Sequence, residues 1–139
     1  MDIDLHKEFK VAYAKVIIGA HKARTRSDQK GVSRYFNHTA GRFVFARMML
    51  LSAYEEHPHK YTINRIADTL DMSRQATSGM IRECLDAEYI VKCPRRGYFA
   101  STELLEAFEE FMPLHEQVMN DSSMHEVLTA LQISRKLAG

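Results

Sequence analysis

Two helix starts that follow each other closely constrain this chain more than any other feature. Thr62 and Ser73 are residue types that cap helix N-termini. Each precedes apolar or small residues at helical spacing: Ile63, Ile66, Ala67 and Leu70 after the first cap, and Thr77, Met80, Ile81 and Leu85 after the second. Only Asp71 and Met72 lie between the first helix and the second cap. Two short helices joined so tightly must cross steeply, with Ala67 as the small residue at their contact, and this geometry is typical of DNA-reading units.

A short β-hairpin is predicted directly after the second helix. Residues 89–91 (Tyr-Ile-Val) are β-forming, residues 94–97 (Pro-Arg-Arg-Gly) form a turn, and residues 98–99 (Tyr-Phe) resume the β pattern. Because Arg95 and Arg96 lie in the turn, the hairpin has a basic tip.

The order of helix, turn, recognition helix, basic hairpin and acidic amphipathic helix resembles the MarR group of bacterial transcription regulators. The matching residues are the run Ile66-Ala67…Leu70-Asp71-Met72-Ser73-Arg74, the spacing of Ile81 and Leu85, and the exit Glu88-Tyr89-Ile90 into the hairpin. The sequence also departs from that group, where glycine usually occupies the positions of Asp71 and Glu88 and the hairpin is usually longer. The resemblance implies a mainly α fold with a small β-hairpin wing (α+β class), that is, a winged helix-turn-helix with N- and C-terminal dimerisation helices.

A chain of 139 residues with 45% hydrophobic content is long enough for one domain with a real core, so we predict a single domain over residues 1–139. Within it we place an N-terminal helix and basic connector at 1–38, the winged lobe at 39–101 and C-terminal dimerisation helices at 102–139. We predict that the connector, residues 24–38, is a loop that can include one turn of helix. A helix buried nearly all round is predicted from Thr39 to about His57.

Further helices are predicted in the C-terminal third. Thr102 is expected to cap one, Pro113 to interrupt it, and residues 120–122 to separate it from the last. The amphipathic N-terminal helix needs a covering surface. That surface is either a partner subunit's terminal helices, as the resemblance implies, or the chain's own C-terminal helix, and periodicity does not separate the two.

The net charge of +1 conceals a gradient along the chain. Residues 1–98 hold seventeen Lys and Arg against eleven Asp and Glu, whereas residues 99–139 hold two against seven. Such a division is expected when one end of a molecule faces phosphates. The basic connector is either a solvated surface or a segment that lies along a DNA backbone.

The second helix is where base reading is expected. Arg74 and Gln75 lie near its N-terminus, where arginine matches the acceptors of guanine and glutamine matches the acceptor and donor of adenine. Gly79 either admits a close approach of DNA or relieves crowding, and Arg82 reaches a phosphate. At the hairpin tip, Arg95 and Arg96 either enter a minor groove or only add surface charge. The predicted DNA-binding residues are Ser73, Arg74, Gln75, Ser78, Gly79, Arg82, Arg95 and Arg96.

Other function classes find little support in the sequence. It contains no HExxH, glycine-rich phosphate loop, nucleophile elbow or paired CxxC, so we predict neither an enzyme nor a cofactor. His57-Pro58-His59 is the nearest approach to a metal site, and solvated histidines are the simpler interpretation. Cys84 and Cys93 are interpreted as reduced thiols. The apolar runs are too short to span a membrane and the first residues are acidic, so a cytoplasmic protein is expected.

The sequence therefore predicts a homodimeric regulator of transcription that binds double-stranded DNA at a pseudo-palindromic site. A winged-helix module for protein–protein interaction is the alternative. The chain contains eight methionines, which we interpret mainly as adaptable core residues. A flexible cavity lined by methionine and tyrosine would also suit a small aromatic effector, as the resemblance implies.

Overall fold

A computed structural model describes residues 4–29, 31–55, 60–94 and 97–139 of the chain. Within these ranges the protein is mainly helical with one two-stranded antiparallel hairpin, which confirms the mainly α class with a small β-hairpin. The elements in chain order are α1 (Leu5–Arg24), α2 (Gly31–Asn37), α3 (Ala40–Tyr54), α4 (Ile63–Leu70), α5 (Arg74–Asp86), β1 (Ile90–Lys92), β2 (Tyr98–Ala100), α6 (Thr102–Ser122) and α7 (Met124–Ala138).

Side-chain caps determine where several helices begin. The side chains of Thr39, Thr62 and Ser73 accept hydrogen bonds from backbone N–H groups in the first turns of α3, α4 and α5, as predicted. The predicted cap of α6 is wrong by one residue. The hydroxyl of Ser101 accepts from the Leu104 N–H at 3.2 Å, and Thr102 is the first helical residue. Both residue types can cap, and the tertiary fold selects Ser101 because its hydroxyl also donates to the Tyr89 carbonyl.

The connector contains a longer helix than the single turn allowed for in the prediction. Residues 31–37 form α2, which begins at Gly31 in a left-handed conformation (φ 58°) and buries Val32 and Phe36. Two buried side chains are too few to produce a visible apolar period in the sequence.

Two further helical predictions are wrong. Helix α3 ends at Tyr54 rather than His57, and it is not buried all round, because Val44, Leu51 and Tyr54 are exposed. Helix α6 continues through Pro113 to Ser122, so neither the predicted interruption nor the predicted linker at 120–122 is present. Pro113 has no backbone N–H to donate to the carbonyl of Glu109. Because both residues are exposed, water can hydrate this carbonyl instead. The chain instead turns at Ser123, which is left-handed (φ 60°).

The chain divides into two compact units, one of residues 27–110 and the other of residues 1–26 together with 111–139. In the first unit, α3 supplies Phe45 and Met49, which are fully buried beside Ile66 of α4 and Cys84 of α5. Met48 and Met80 also belong to this core, which agrees with the interpretation of the methionines as mainly core residues. The hairpin is attached to α3 by a hydrogen bond that the Ser52 hydroxyl donates to the carbonyl of Tyr98.

In the second unit, α1 packs against α7. Ala12, Met124 and Val127 are buried, and Phe9, Val16, Met119 and Leu131 surround them. At Gly19 the backbone approaches Val118 so closely that an added Cβ would lie 2.8 Å from a valine methyl group. The chain's own C-terminal helix therefore covers one face of α1, whereas Val11, Tyr13, Ile17 and Ile18 remain exposed. Throughout the described ranges, each helix is too short or too polar to cross a bilayer.

Candidate nucleic-acid interface

Helices α4 and α5 end in the same backbone motif. After α4, the Met72 N–H donates to the carbonyl of Ala67 at 3.0 Å and Asp71 is left-handed (φ 51°). After α5, the Tyr89 N–H donates to the carbonyl of Cys84 at 2.9 Å and Glu88 is left-handed (φ 63°). This pattern usually contains glycine at the left-handed position. Asp71 and Glu88 thus take glycine-like conformations at the two positions where the sequence departs from the resembled group.

The turn after α4 leads directly to Ser73, the N-cap of α5. Ser73 accepts a hydrogen bond from the Ala76 N–H at 3.0 Å, and its carbonyl accepts one from the Thr77 hydroxyl at 2.9 Å. Both bonds fix the first turn of α5, where Arg74 and Gln75 lie. The position of these two side chains is therefore set by local bonds as well as by the core.

Helix α5 has a buried face and an exposed face, divided as predicted. Thr77, Met80, Ile81 and Cys84 are buried against the core. The opposite face carries the predicted DNA-binding residues of this helix: Arg74, Gln75, Gly79 and Arg82 are exposed and Ser78 is half-buried, with Ser73 exposed at the cap. The structure thus brings these residues together at one surface. Beyond its own stretch of helix, an added Cβ at Gly79 would meet no atom of the described residues within 4 Å, so these residues do not crowd the position.

The hairpin follows α5 without a long connection. Ile90 pairs with Ala100, Val91 with Phe99 and Lys92 with Tyr98, and the Cys93 N–H donates to the carbonyl of Gly97 at 2.9 Å. The tip residues Arg95 and Arg96 lie outside the described residues, so their predicted contacts stay predictions.

The basic connector is divided between the two units. Arg34 is exposed on α2 in the unit that contains α5, whereas Arg24 and Arg26 belong to the other unit and Lys30 lies outside the described residues. A guanidinium nitrogen of Arg24 lies 3.3 Å from the ring of His21. Of the connector's cations, Arg34 is the one described in the same unit as α5.

Side chains from three helices meet beside the buried face of α5. The Tyr35 hydroxyl on α2 donates to a carboxylate oxygen of Glu83 on α5 at 2.9 Å. Arg42, in the first turn of α3, lies over the Tyr35 ring at 4.1 Å and 3.8 Å from the same carboxylate oxygen. Tyr35 and Arg42 were not predicted from the sequence, because Tyr35 was assigned to a loop and no local pattern relates either residue to Glu83.

Burial changes the acidity of two groups near this contact. It raises the pKa of Tyr35 well above its usual range, and the adjacent Cys84 thiol and Glu83 carboxylate raise this pKa further. Burial also raises the pKa of Cys84 to about 11. Cys84 and the half-buried Cys93 are free thiols. Cys84 is therefore a neutral core residue at ordinary pH rather than a reactive thiolate.

The described residues give less support for a metal site or for an effector pocket. Among the described residues, no group of three or more His, Cys, Asp or Glu side chains could hold a metal ion, and His57 and His59 lie outside those residues. An open groove of about 570 Å³ runs beside β1, lined by Leu85, Glu88, Ile90, Val91, Lys92, Ser101, Thr102 and Glu103. This lining is not the methionine and tyrosine lining expected for an aromatic effector, which stays a prediction.

Comparisons of the chain with protein-family models, curated proteins and solved structures found no match. What the protein does must therefore be inferred from its own residues. The exposed face of α5 carries arginine, glutamine and serine side chains beside a bare glycine backbone.

Proposed function

We propose that this protein is a winged helix-turn-helix regulator of transcription, similar to the MarR group, that binds double-stranded DNA. The observation that carries the proposal is that α5 has one buried apolar face and one exposed polar face. Its apolar face is anchored in the core, and its exposed face presents arginine, glutamine and serine at the helix N-terminus. An α-helix presented in this way fits the width of the major groove.

In the proposed complex, the first turns of α5 read the bases. Arg74 donates two hydrogen bonds to guanine, Gln75 pairs with adenine, and Ser78 reaches a base edge or a phosphate. Gly79 allows the groove wall to approach the helix backbone, and Arg82 binds a phosphate on the same face. Toward the end of α5 the exposed carboxylates repel phosphates, so contact is confined to the first turns; these carboxylates are Asp86 and Glu88.

The hairpin would serve as the wing of this fold. Its strands follow α5 directly, and Arg95 and Arg96 at the tip are proposed to enter an adjacent minor groove. Arg34 on α2 is proposed to add a phosphate contact from the same unit. These cations supply affinity that is independent of sequence, whereas Arg74 and Gln75 supply specificity.

We also propose a twofold homodimer, assembled through the unit that contains α1. One face of α1 is covered by α7, yet the side chains of Tyr13, Ile17 and Ile18 are 51–57% exposed. Several large apolar side chains exposed on one helix are typical of a subunit interface. A twofold dimer would place two recognition helices on half-sites about 34 Å apart, one turn of DNA.

One observation favours a protein–protein interaction module as the second candidate. Val44, Leu51 and Tyr54 are exposed on α3 in the same unit as α5, with Tyr54 exposed by 68%. A partner protein could cover these side chains. Such a module would bind duplex DNA neither tightly nor with strong dependence on salt.

The test begins with selection of duplexes from a randomised pool by the purified protein, followed by fluorescence anisotropy on the enriched sequence. Wild-type affinity should fall steeply as salt rises. Arg74→Ala should weaken binding by about 5- to 150-fold and relax specificity at one position, as expected for loss of a bidentate base contact.

Arg135→Ala is the matched control, because Arg135 is an exposed arginine on α7 and has no proposed DNA role. Its affinity should remain close to that of the wild type. If the pool shows no enriched sequence and the protein binds no duplex at low salt, the DNA proposal is wrong and the interaction module takes its place.

A further inference from the structure

The contact among Tyr35, Arg42 and Glu83 ties α5 to two other helices through polar groups. One carboxylate oxygen of Glu83 receives the Tyr35 hydroxyl at 2.9 Å and lies 3.8 Å from the Arg42 guanidinium. Arg42 also lies 4.1 Å from the centre of the Tyr35 ring. The three side chains therefore touch one another in a closed triangle. Each comes from a different helix, namely α2, α3 and α5.

The two partners of Glu83 are themselves held in place. The Tyr35 ring lies 5.0 Å from that of Phe36 and 5.6 Å from that of Tyr89, and Phe36 is buried in the core. The backbone N–H of Arg42 donates to the capping hydroxyl of Thr39 at 3.1 Å, which fixes the start of α3. Glu83 is thus restrained by side chains from two helices rather than from loops.

Apolar contacts alone define the rotation of a helix less sharply than directional bonds do, because dispersion forces and the hydrophobic effect have little directional preference. Except for Thr77, the buried face of α5 consists of Met80, Ile81 and Cys84. The Tyr35–Glu83 bond adds a directional restraint on the third turn of α5. A rotation that broke this bond would also redirect the exposed face, which lies on the same rigid helix.

We infer that Tyr35 and Arg42 are positioning residues that hold α5, through Glu83, at the angle from which Arg74 and Gln75 meet the bases. This inference rests on the proposed function, in which α5 binds duplex DNA. Tyr35 and Arg42 are not among the proposed DNA contacts and act through Glu83. Their effect falls on base reading, which depends on angle, rather than on phosphate attraction, which tolerates small displacements.

Tyr35→Phe provides the test, because it removes the hydroxyl and keeps the ring. With the enriched duplex, affinity should fall about fivefold, the size expected for one charge-assisted hydrogen bond at a partly exposed site. With a scrambled duplex, affinity and its dependence on salt should remain as in the wild type. Tyr54→Phe removes an exposed tyrosine hydroxyl from α3 in the same unit and should leave both affinities unchanged.

Variants of Glu83 separate the hydrogen bond from the charge. Glu83→Gln keeps an oxygen that can accept from Tyr35 and should retain specific affinity within about twofold, whereas Glu83→Ala removes the contacts with both Tyr35 and Arg42 and should lose at least as much as Tyr35→Phe. Adding Tyr35→Phe to Glu83→Ala should cause no loss beyond that of Glu83→Ala alone, because Glu83→Ala already removes the hydrogen bond that Tyr35→Phe removes.

The possible failures are distinguishable. If the wild type selects a sequence and Tyr35→Phe binds it equally well, positioning is overturned while the DNA proposal stands. If Tyr35→Phe weakens binding to both duplexes equally and also lowers the free energy of unfolding, the bond serves general stability, and positioning is again overturned. If the wild type selects no sequence, the proposed function fails and this inference fails with it.

Discussion

Asp71 and Glu88 have positive φ angles of 51° and 63°, in a region where residues other than glycine are strained. The left-handed conformation costs an L-residue about 1–2 kcal/mol, because Cβ approaches the following carbonyl oxygen. Asp tolerates it better than Glu, since its short side chain can hydrogen-bond to the local backbone. The two helix ends therefore contain strain, and more of it lies at Glu88.

Glu88→Gly should raise the free energy of unfolding by about 0.5–1 kcal/mol, because relief of strain exceeds the entropy that glycine adds to the unfolded chain. Asp71→Gly should produce a smaller gain. Urea unfolding measures both. Ala87→Gly is the matched control, since the adjacent Ala87 has an ordinary φ of −81° and its replacement should only destabilise. Destabilisation of Glu88→Gly as large as that of Ala87→Gly would contradict the strain argument.

The buried thiol of Cys84 predicts a loss of stability at alkaline pH. Its pKa rises from an ordinary value of 9.0 to about 11 in the folded protein, so the unfolded chain loses this proton first. Stability is therefore fully present below about pH 9 and is lost as pH rises through about 11, by about 2–3 kcal/mol from this group. The raised pKa of Tyr35 acts in the same direction at higher pH.

Urea unfolding at a series of pH values between about 8 and 11 measures this loss. Cys84→Ala should flatten the part of the profile that the thiol causes, whatever its effect on absolute stability. Cys93→Ala is the matched control, because it removes the chain's other thiol, which is half-buried, and leaves Cys84 in place. An unchanged slope in Cys84→Ala would show that the loss has another origin.

At the scale of the element, Gly79 is the feature of α5 that its local surroundings do not explain. Glycine in a helix interior costs about 1 kcal/mol relative to alanine. Outside its own stretch of helix, no atom in the described part of the chain lies within 4 Å of a Cβ built at this position. A helix selected for stability alone would therefore gain from alanine at this point.

Gly79→Ala should raise the free energy of unfolding by about 0.5–1 kcal/mol and should weaken binding to the enriched duplex, because the methyl group would meet the groove. Chemical unfolding and anisotropy give the two results. Ala76→Gly, on the exposed surface of the same helix, should lower stability without adding bulk at the interface. If the Gly79→Ala protein binds DNA as tightly as the wild type, the proposal that DNA approaches the helix backbone closely at this position is wrong.

At the scale of the whole molecule, the exposed apolar face of α1 predicts self-association. Ile18→Glu should shift sedimentation from a dimer toward the 16.0 kDa monomer, because a dimer interface would have to desolvate the new carboxylate. Ile18 is 57% exposed within the chain, so the monomer itself should lose little stability. Affinity for a two-half-site duplex should fall together with the dimer.

Leu51→Glu is the matched control for the dimer, since Leu51 is an aliphatic residue of comparable exposure, 51%, on α3 in the other unit. It should leave the sedimentation coefficient unchanged. A wild-type protein that sediments as a monomer at micromolar concentration would contradict the dimer. A Leu51→Glu protein that dissociates would place the interface on α3 instead.

Features that depend on nearby residues were predicted well from the sequence. The caps Thr39, Thr62 and Ser73, the two faces of α5 and the hairpin strands all follow from spacings within a few residues, where backbone geometry repeats regularly. These features also cover most of the candidate interface. The proposed DNA contacts themselves, including those of Arg95 and Arg96, remain predictions.

Features that depend on distant residues were not predictable. Helix α2 is stabilised by burying Val32 and Phe36 in a core that other helices supply, and α1 is covered by α7 from the far end of the chain. The Tyr35 hydroxyl donates a hydrogen bond to Glu83, which lies 48 positions later in the sequence. The spacing of residues along the chain does not indicate which helix surfaces will pack against each other. Such contacts form because the assembled core brings together side chains whose pairing is favourable only there.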